Sequence, residues 1–383
     1  MLMKYRLYTP GPTSVPEATL LELAKPVHHH RTGEFKAMFA EVQKLLQYVF
    51  QTKNTVYTIT GSGTAAAEAG IINTVSSGQK ALCVVNGKFA ERWAQVCGTY
   101  GIEHKDMKLE YGDAATGEMI AAELEGAKYD AVILVHSETS TGTVCDLEGI
   151  GKAVRASGET LLIVDGITAL GTLPVKVDEW GVDVQITGSQ KALMLPPGLG
   201  YLSLSDRAWA AVERNKARQD FYLDLKKYKK SLGDGDTPFT PANTLIEAQL
   251  VSLRMIQQET IEGVWKRSQA LAEAFRQGMT ALGFELFSKR PADSVTAVKY
   301  LAGLTDKEFR GQLKSKHNMH IAGGQGTMEG KIFRVSHMGY TDVYDCLAVV
   351  AAIEHTLKAL GKPVEFGKGV AAAQKALSGL FAA

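Results

Sequence analysis

Short runs of apolar, often β-branched residues alternate with amphipathic segments as far as Leu204. The apolar runs predict strands, and the segments between them have the apolar spacing of helices. The predicted strands are Thr55–Thr60, Ala81–Asn86, Ala131–His136, Thr160–Asp165, Asp183–Thr187 and Gly200–Leu204. The predicted helices include Thr64–Val75, Phe89–Tyr100 and Leu147–Ala156. Such alternation predicts an α/β fold with a doubly wound, mostly parallel sheet that is covered on both faces.

The pattern changes after Leu204. Residues 206–236 are rich in charge, and the basic run at 226–230 is typical of the solvated face of a helix. The elements predicted beyond it are a helical segment from Leu245 to about Leu282, strands at Ser294–Tyr300 and Lys331–Val335, and a helix at Val343–Leu360. Together they predict a smaller C-terminal α+β domain.

The C-terminal residues carry apolar side chains at helical spacing, at Val370, Ala373, Leu377 and Leu380. They predict a terminal helix that packs on its own domain. We therefore expect an N-terminal segment of residues 1–14, a large domain of residues 15–250 and a small domain of residues 251–383.

Composition narrows the class of protein. The chain has 383 residues and a formal net charge of +1, which gives no electrostatic reason to expect nucleic acid or an anionic membrane as partner. Its four cysteines, Cys83, Cys97, Cys145 and Cys346, are scattered, which is typical of free thiols. We see no apolar leader and no run long enough to span a bilayer, so we expect a cytoplasmic protein.

Glycines, hydroxyls and charged residues follow five of the predicted strands at their carboxyl ends. In an open α/β sheet, ligands bind outside these ends. The segments are Gly61-Ser62-Gly63-Thr64, Asn86-Gly87-Lys88-Phe89, Ser137 to Gly142, Asp165, and Gly188-Ser189-Gln190-Lys191. We expect them to share one site, because the ends of parallel strands meet at one edge of the sheet.

The segment Gly61-Ser62-Gly63-Thr64 precedes a predicted helix and has two interpretations. Its glycines, hydroxyls and free helix N–H groups would form a phosphate cradle, or Ser62 or Thr64 would be a plain N-cap. The segment also matches the dinucleotide fingerprint GxGxxA. That interpretation is weaker, because the next strand ends in Asn86 and not in the acid that the fingerprint requires.

Asp165 and Lys191 each follow a strongly apolar strand, and 26 positions separate them. Alone, such an Asp is often an N-cap, and such a Lys is often a surface residue. Together with a phosphate cradle they meet the needs of pyridoxal 5′-phosphate, which requires a Schiff-base lysine and an acid for its pyridine nitrogen. We expect this cofactor, with burial making Lys191 a nucleophilic amine.

Two other motifs resemble ligand sites, one for a metal ion and one for a phosphate, but their details do not fit. Consecutive residues cannot all face one ion, so the run His28-His29-His30 predicts no metal site. The glycine-rich segment Gly323–Gly330 resembles a phosphate loop, but Lys331 is followed by Ile332 where that loop has Ser or Thr. We expect a surface turn there.

The stretch Gly188-Ser189-Gln190-Lys191-Ala192-Leu193, followed by Pro196-Pro197-Gly198, resembles the class V aminotransferases, and most closely their alanine–glyoxylate and serine–pyruvate branch. The resemblance extends from Pro10-Gly11-Pro12-Thr13 to Phe333-Arg334-Val335, which is nearly the whole chain. It implies the pyridoxal-phosphate-dependent transferase fold of type I, a homodimer, and an N-terminal segment near the active site.

The resemblance also implies a role for each matching residue. Lys191 would carry the cofactor, and Asp165 would pair with its ring nitrogen. The other cofactor contacts would come from Ser62, Gly63, Thr64 and Gln190 at the phosphate, from Phe89 and Ile167 on the ring faces, from Thr139 near the ring hydroxyl, and from Thr244 across the subunit boundary. Arg334 would bind the substrate carboxylate, with Gly11 near the substrate. An alternative for Arg334 is a structural ion pair, and a substrate-side role for His30 or Arg31 is a weaker hypothesis.

The function that we expect is ping-pong transfer of an amino group from alanine or serine to glyoxylate or pyruvate, with Lys191 moving the proton. Three alternatives stay open. A cysteine desulfurase would need a reactive loop cysteine, which the positions of Cys145 and Cys346 do not favour. A phosphonate transaminase would need further cations, and a non-catalytic, hydrogenase-associated subunit would not need Lys191, Asp165 and Arg334 together.

Overall fold

The computed structural model describes residues 3–216 and 220–380. The strands are β1 (Arg6–Leu7), β2 (Val56–Thr60), β3 (Lys80–Val85), β4 (Glu103–Lys108), β5 (Ala131–Val135), β6 (Ser137–Glu138), β7 (Thr143–Val144), β8 (Leu161–Asp165), β9 (Val184–Gly188), β10 (Leu199–Leu204), β11 (Val295–Lys299), β12 (Met319–His320), β13 (Ala322–Gly323) and β14 (Ile332–Ser336).

Helices connect and cover these strands. They are α1 (Glu17–Leu23), α2 (Gly33–Phe50), α3 (Gly63–Thr74), α4 (Ala90–Thr99), α5 (Gly117–Gly126), α6 (Leu147–Ala156), α7 (Asp206–Arg214), α8 (Leu225–Gly233), α9 (Asn243–Glu259), α10 (Ile261–Ala281), α11 (Asp306–His317), α12 (Val343–Ala359) and α13 (Lys368–Leu377), with short 3₁₀ turns at Gly326–Met328 and Ser378–Leu380.

A seven-stranded sheet in the order β2-β10-β9-β8-β5-β3-β4 forms the centre of the large domain. The pairs from β9 to β4 are parallel, and β10 runs antiparallel to both of its neighbours. This confirms the predicted α/β class and the mostly parallel sheet. The six predicted strands and the three predicted helices are present to within one residue at each end.

The edge strand β4 is the strand of the central sheet that the apolar pattern missed. Its sequence, EHKDMK, alternates only weakly and has no apolar run, and its side chains are half-buried or exposed. Charged residues at an exposed sheet edge oppose pairing with other chains. The feature that suits β4 to the edge therefore also hid it from a search for apolar runs.

Two hydrophobic layers hold the central sheet, one on each face. On β8, Leu162 and Val164 pack into one layer, and Leu161 and Ile163 pack into the other. This follows from the alternation of side chains along a strand. The strand end at Asp165 is therefore fixed from both faces.

The basic run lies on α8, where Leu225 and Tyr228 are buried and the lysines are half-buried or exposed. This confirms the predicted solvated face. The long helical segment beyond it is divided into α9 and α10 at Thr260, whose φ is +70°. The hydroxyl of Thr260 accepts a hydrogen bond from Gly263 N at 3.1 Å and so caps α10.

A three-stranded antiparallel sheet, β11-β14-β13, forms the small domain with α10 to α13. The strand β1 pairs in parallel with β12 of this domain, and the chain then continues toward the large sheet. The predicted boundaries near residues 14 and 250 stay predictions. None of the described helices is both long and apolar enough to cross a membrane.

The predicted terminal helix is α13, and it packs on its own domain through Ala373 and Leu377. We expect Leu377→Ala to lower the free energy of unfolding by about 2–5 kcal/mol, because it leaves a cavity in the small-domain core. Lys375→Ala, an exposed change on the same helix, is the control and should change it little. Urea unfolding measures both, and equal effects would contradict the packing.

Candidate active site

The carboxyl ends of the parallel strands surround one cavity, as predicted. Its lining includes nine of the predicted site residues, together with Arg92, Val135 and Thr168. The nine are Ser62, Gly63, Thr64, Phe89, Thr139, Asp165, Ile167, Gln190 and Lys191. They come from segments up to 129 residues apart (191 − 62), and the sheet brings them together.

Lys191 follows β9 in a short turn, and 8% of the residue is exposed. Its Nζ donates a hydrogen bond to Pro10 O at 2.5 Å, and a Cβ on Gly11 would collide with the same amine. Burial lowers the pKa of Lys191 to about 8, against the opposite effect of Asp165. The neutral, nucleophilic fraction of the amine near neutral pH is therefore much larger than that of an exposed lysine.

Asp165 ends β8, and its carboxylate is buried. Oδ1 accepts a hydrogen bond from Ile167 N at 2.8 Å, and Oδ2 accepts one from Trp93 Nε1 at 3.1 Å. Burial raises the pKa of Asp165 to about 6, although these two bonds favour the ionised form. The hydrogen bond from Ile167 N is the one expected of an N-cap residue. Asp165 also lines the cavity, so it can contact a ligand there.

Trp93 is a site residue that the sequence analysis missed. It lies on α4 four positions after Phe89, so the two side chains share one helix face. That spacing was the available signal. Since the indole is 2% exposed and contacts Asp165, it orients the carboxylate without lining the cavity itself.

The start of α3 forms the other end of the cavity. Ser62 is the N-cap residue by position, but its side chain makes no cap hydrogen bond. A Cβ on Gly63 would lie 2.7 Å from the Ile167 side chain and 3.4 Å from Gly188 Cα, so a larger residue would displace Ile167 from its place in the cavity. These features favour the phosphate cradle over the plain N-cap. Gln190 Oε1 beside it is buried without a hydrogen-bond partner in the described structure.

Arg92 is a second residue that the sequence analysis missed. Its Nη1 donates to Thr64 Oγ1 at 3.0 Å, and its guanidinium lies 5.3 Å from the centre of the Phe89 ring. It places a cation at the phosphate end of the cavity. The signal in the sequence was again helical spacing, three positions after Phe89.

Arg334 lies on β14 and reaches the large domain from the small one. Nε and Nη2 donate to Gly323 O at 2.9 and 2.7 Å, and Nη1 donates to Thr139 O at 2.8 Å. Burial lowers the pKa of Arg334 to about 10, so it stays protonated at neutral pH. Three of the five N–H groups of a guanidinium are thus used, and one remains on each terminal nitrogen. That is the number that a carboxylate accepts.

Arg334 forms no ion pair with any residue in the described ranges, so the ion-pair alternative finds no support. Its partner Gly323 belongs to the glycine-rich segment for which a surface turn was expected. That segment contains β13 and a 3₁₀ turn, and its first carbonyl positions Arg334. The sequence did not predict this contact.

The remaining predicted residues lie outside the cavity lining. Thr244 is in the first turn of α9 and is half-buried. His30 is buried, and Arg31 is exposed with its Nε 3.6 Å from Asp236. In the part of the chain that the structure describes, no three His, Cys, Asp or Glu side chains are grouped closely enough to hold a metal ion.

Comparison with known proteins agrees with this geometry. The family model for class V aminotransferases matches residues 15–345. A Synechococcus protein named as the small subunit of a soluble hydrogenase is 41% identical, and the match covers 98% of this chain and 99% of the relative. A serine–glyoxylate aminotransferase from Methylorubrum extorquens is 33% identical, with 97% and 95% covered.

A solved structure gives the same result. An alanine–glyoxylate aminotransferase from a Nostoc species superimposes with a TM-score of 0.89 at 32% identity, covering 93% of this chain and 96% of that chain. The chain therefore belongs to the class V aminotransferases and is a transaminase that uses pyridoxal 5′-phosphate.

Proposed function

We propose that this transaminase moves an amino group from alanine or serine to glyoxylate or pyruvate by a ping-pong mechanism. The observation that supports it best is the single cavity in which a buried lysine, a buried aspartate and a phosphate cradle meet. Arg334 stands beside this cavity with two N–H groups available for one carboxylate.

The residues of the cavity suit pyridoxal phosphate. Lys191 would bind it covalently, and Asp165 would accept a hydrogen bond from its ring nitrogen. The phosphate would lie at the start of α3, where Gly63 allows close approach and Arg92 supplies positive charge. When bound, the cofactor supplies a ring that accepts the electrons left on the substrate Cα when its proton departs.

The chain itself supplies positioning and proton transfer. Asp165 keeps a proton on the ring nitrogen, because a buried carboxylate favours a nearby positive charge. Arg334 holds the substrate carboxylate and thereby directs the Cα–H bond. Lys191, once free, would take that proton from Cα as general base and deliver it as general acid to the cofactor C4′, for which a pKa of about 8 is well suited.

The substrate pair is inferred from charge and from relatives. Arg334 offers its site for one carboxylate, which suits amino acids with small neutral side chains. The Methylorubrum and Nostoc relatives have names that share glyoxylate as one partner. This supports glyoxylate as the acceptor, with alanine or serine as the donor.

The alternatives receive less support. All four cysteines are buried, and Cys346 Sγ donates to Leu271 O within the small-domain core, which does not suit a desulfurase. A phosphonate substrate would need cations beyond Arg334, and Arg92 is directed at Thr64. The name of the Synechococcus relative favours a hydrogenase-associated role, but such a role would not need a lysine and an aspartate buried in one cavity.

The first prediction concerns the cofactor and the donor. The purified protein with pyridoxal phosphate should show a visible absorption band that L-alanine or L-serine shifts to the amine form without any keto acid. Lys191→Ala should abolish turnover and this band, whereas Lys176→Ala, at the surface, should change neither. A wild-type protein that stays colourless with the cofactor would reject the enzyme and favour the binding-subunit role.

Arg334 provides the second prediction. Arg334→Lys should lower kcat/KM for both amino donor and keto acid by about 100-fold or more, because lysine cannot form the paired hydrogen bonds. Arg254→Lys is the matched control, since Arg254 lies on α9 at the surface and already forms a paired hydrogen bond with Glu41. Steady-state kinetics measures kcat/KM for both variants. An equal loss of kcat/KM in the two would contradict the role of Arg334 in binding the substrate carboxylate.

The third prediction concerns assembly. We propose a homodimer in which Thr244 approaches the cofactor phosphate bound by the partner subunit, which agrees with its place outside its own cavity. Sedimentation should give a dimer, and Thr244→Ala should weaken cofactor binding about 10-fold through one lost hydrogen bond to a charged group. Thr280→Ala, exposed on α10, should leave affinity unchanged. A monomer that binds the cofactor normally would disprove the arrangement.

A further inference from the structure

Glu138 is a buried carboxylate that the proposed mechanism does not use. It lies on β6, just beyond the end of β5, and is 0% exposed. Oε1 accepts hydrogen bonds from Ser140 N at 2.9 Å and from Ser140 Oγ at 2.7 Å. Oε2 accepts from Phe89 N at 3.1 Å and from Ala90 N at 2.9 Å. Four donors therefore surround two oxygens.

These donors join two strand-end segments that face the cavity. Phe89 N and Ala90 N stand at the start of α4, and the preceding Lys88 N donates to Ser140 Oγ at 3.0 Å. The first N–H groups of a helix have no partner within the helix. Glu138 accepts from the N–H groups of Phe89 and Ala90 at this helix start, and Ser140 accepts from Lys88 N just before it, so the turn that carries Phe89 is attached to the turn that carries Thr139.

Gly87 shows how closely the two segments approach. A Cβ at this position would collide with Cγ and Cδ of Glu138 and would lie 2.7 Å from Ser140 Oγ. Only glycine leaves room for the carboxylate against the backbone. The glycine in Asn86-Gly87-Lys88 therefore allows the Glu138 side chain to pack directly against the backbone.

The hydrogen bonds of Glu138 also indicate whether its carboxyl group is charged. A protonated carboxyl group needs an acceptor for its proton. Three of the four partners of Glu138 are backbone N–H groups, which can only donate, and the fourth, the Ser140 hydroxyl, already accepts a hydrogen bond from Lys88 N. Burial raises the pKa of Glu138, while the four donors and the helix N-terminus favour the ionised form. The pattern of donors is that of a carboxylate.

This negative charge acts on the groups of the site. Burial raises the pKa of Asp165 and lowers that of Lys191, and the charge of Glu138 adds to the first shift and opposes the second. The titratable and charged groups that interact with Glu138 are Asp165, Lys191, Arg334, Tyr111 and Cys145. Lys191 is the group whose protonation can be followed in the loaded enzyme.

We propose that Glu138 is a positioning residue that acts as a permanent buried anion. It holds the Phe89 turn against the Thr139 turn, and its charge favours the protonated form of the Lys191 nitrogen when that nitrogen carries the cofactor. The inference rests on the proposed function, because it concerns the lysine that binds pyridoxal phosphate.

Glu138→Gln removes the charge and keeps the size of the side chain. The visible band of the bound cofactor changes as the Lys191 nitrogen loses its proton, so its pH midpoint reports the charge nearby. We expect the midpoint to fall by roughly half a unit or more. Ser140→Ala is the matched control, because it removes a neutral donor to the same carboxylate and should leave the midpoint unchanged. Glu138→Asp restores the charge and should restore the midpoint.

Other results would overturn the proposal. If Glu138→Gln lowers thermal stability and cofactor affinity with an unmoved midpoint, the residue has only a structural role. If this variant does not fold, the infrared spectrum of the wild-type enzyme shows whether Glu138 is charged. A buried, protonated carboxyl band that shifts in Ser140→Ala would show that Glu138 is neutral, and its absence would support the anion. A wild-type protein that binds no pyridoxal phosphate would reject the proposed function instead, so the two failures are distinct.

Discussion

Burial of charge away from water is the constraint on which this active site depends. Lys191, Asp165, Glu138 and Arg334 are each 8% exposed or less. An isolated charge in such a place is costly, so each one must be met by polar groups that the fold holds in position. Most of these are backbone groups, such as Pro10 O for Lys191 and Gly323 O for Arg334. The geometry of the backbone around the cavity is therefore part of the chemistry.

That requirement explains why distant parts of the chain meet here. The strand β14 of the small domain carries Arg334, whose Nη1 reaches Thr139 O in the large domain. The N-terminal segment passes between the two domains and presents Pro10 to Lys191. Without the N-terminal segment the lysine would lose Pro10 O, and without the large domain the arginine would lose Thr139 O. The small domain and the N-terminal segment thus complete the site as well as covering it.

Burial also gives the two central groups opposite shifts. It lowers the pKa of Lys191 to about 8 and raises that of Asp165 to about 6. Both values lie nearer to neutrality than the usual values, where small changes in nearby charge alter protonation most. Trp93 and Glu138 adjust this balance, one through a hydrogen bond to Asp165 and the other through charge.

The sequence predicted six of the seven strands of the central sheet, two strands of the small domain, several helices and the carboxyl-end segments, because apolar alternation and helical spacing are local properties. It also indicated Lys191 and Asp165, since a charge directly after an apolar strand stands out in one dimension. It missed β4, whose charged sequence carries no apolar run, and the two-residue strands β1, β6, β7, β12 and β13, which are too short to show a pattern. Only the tertiary structure revealed Trp93, Arg92, Glu138 and the role of Gly323. Their partners lie on other elements, and a contact across a fold depends on how strands are ordered and helices packed, which no local pattern contains.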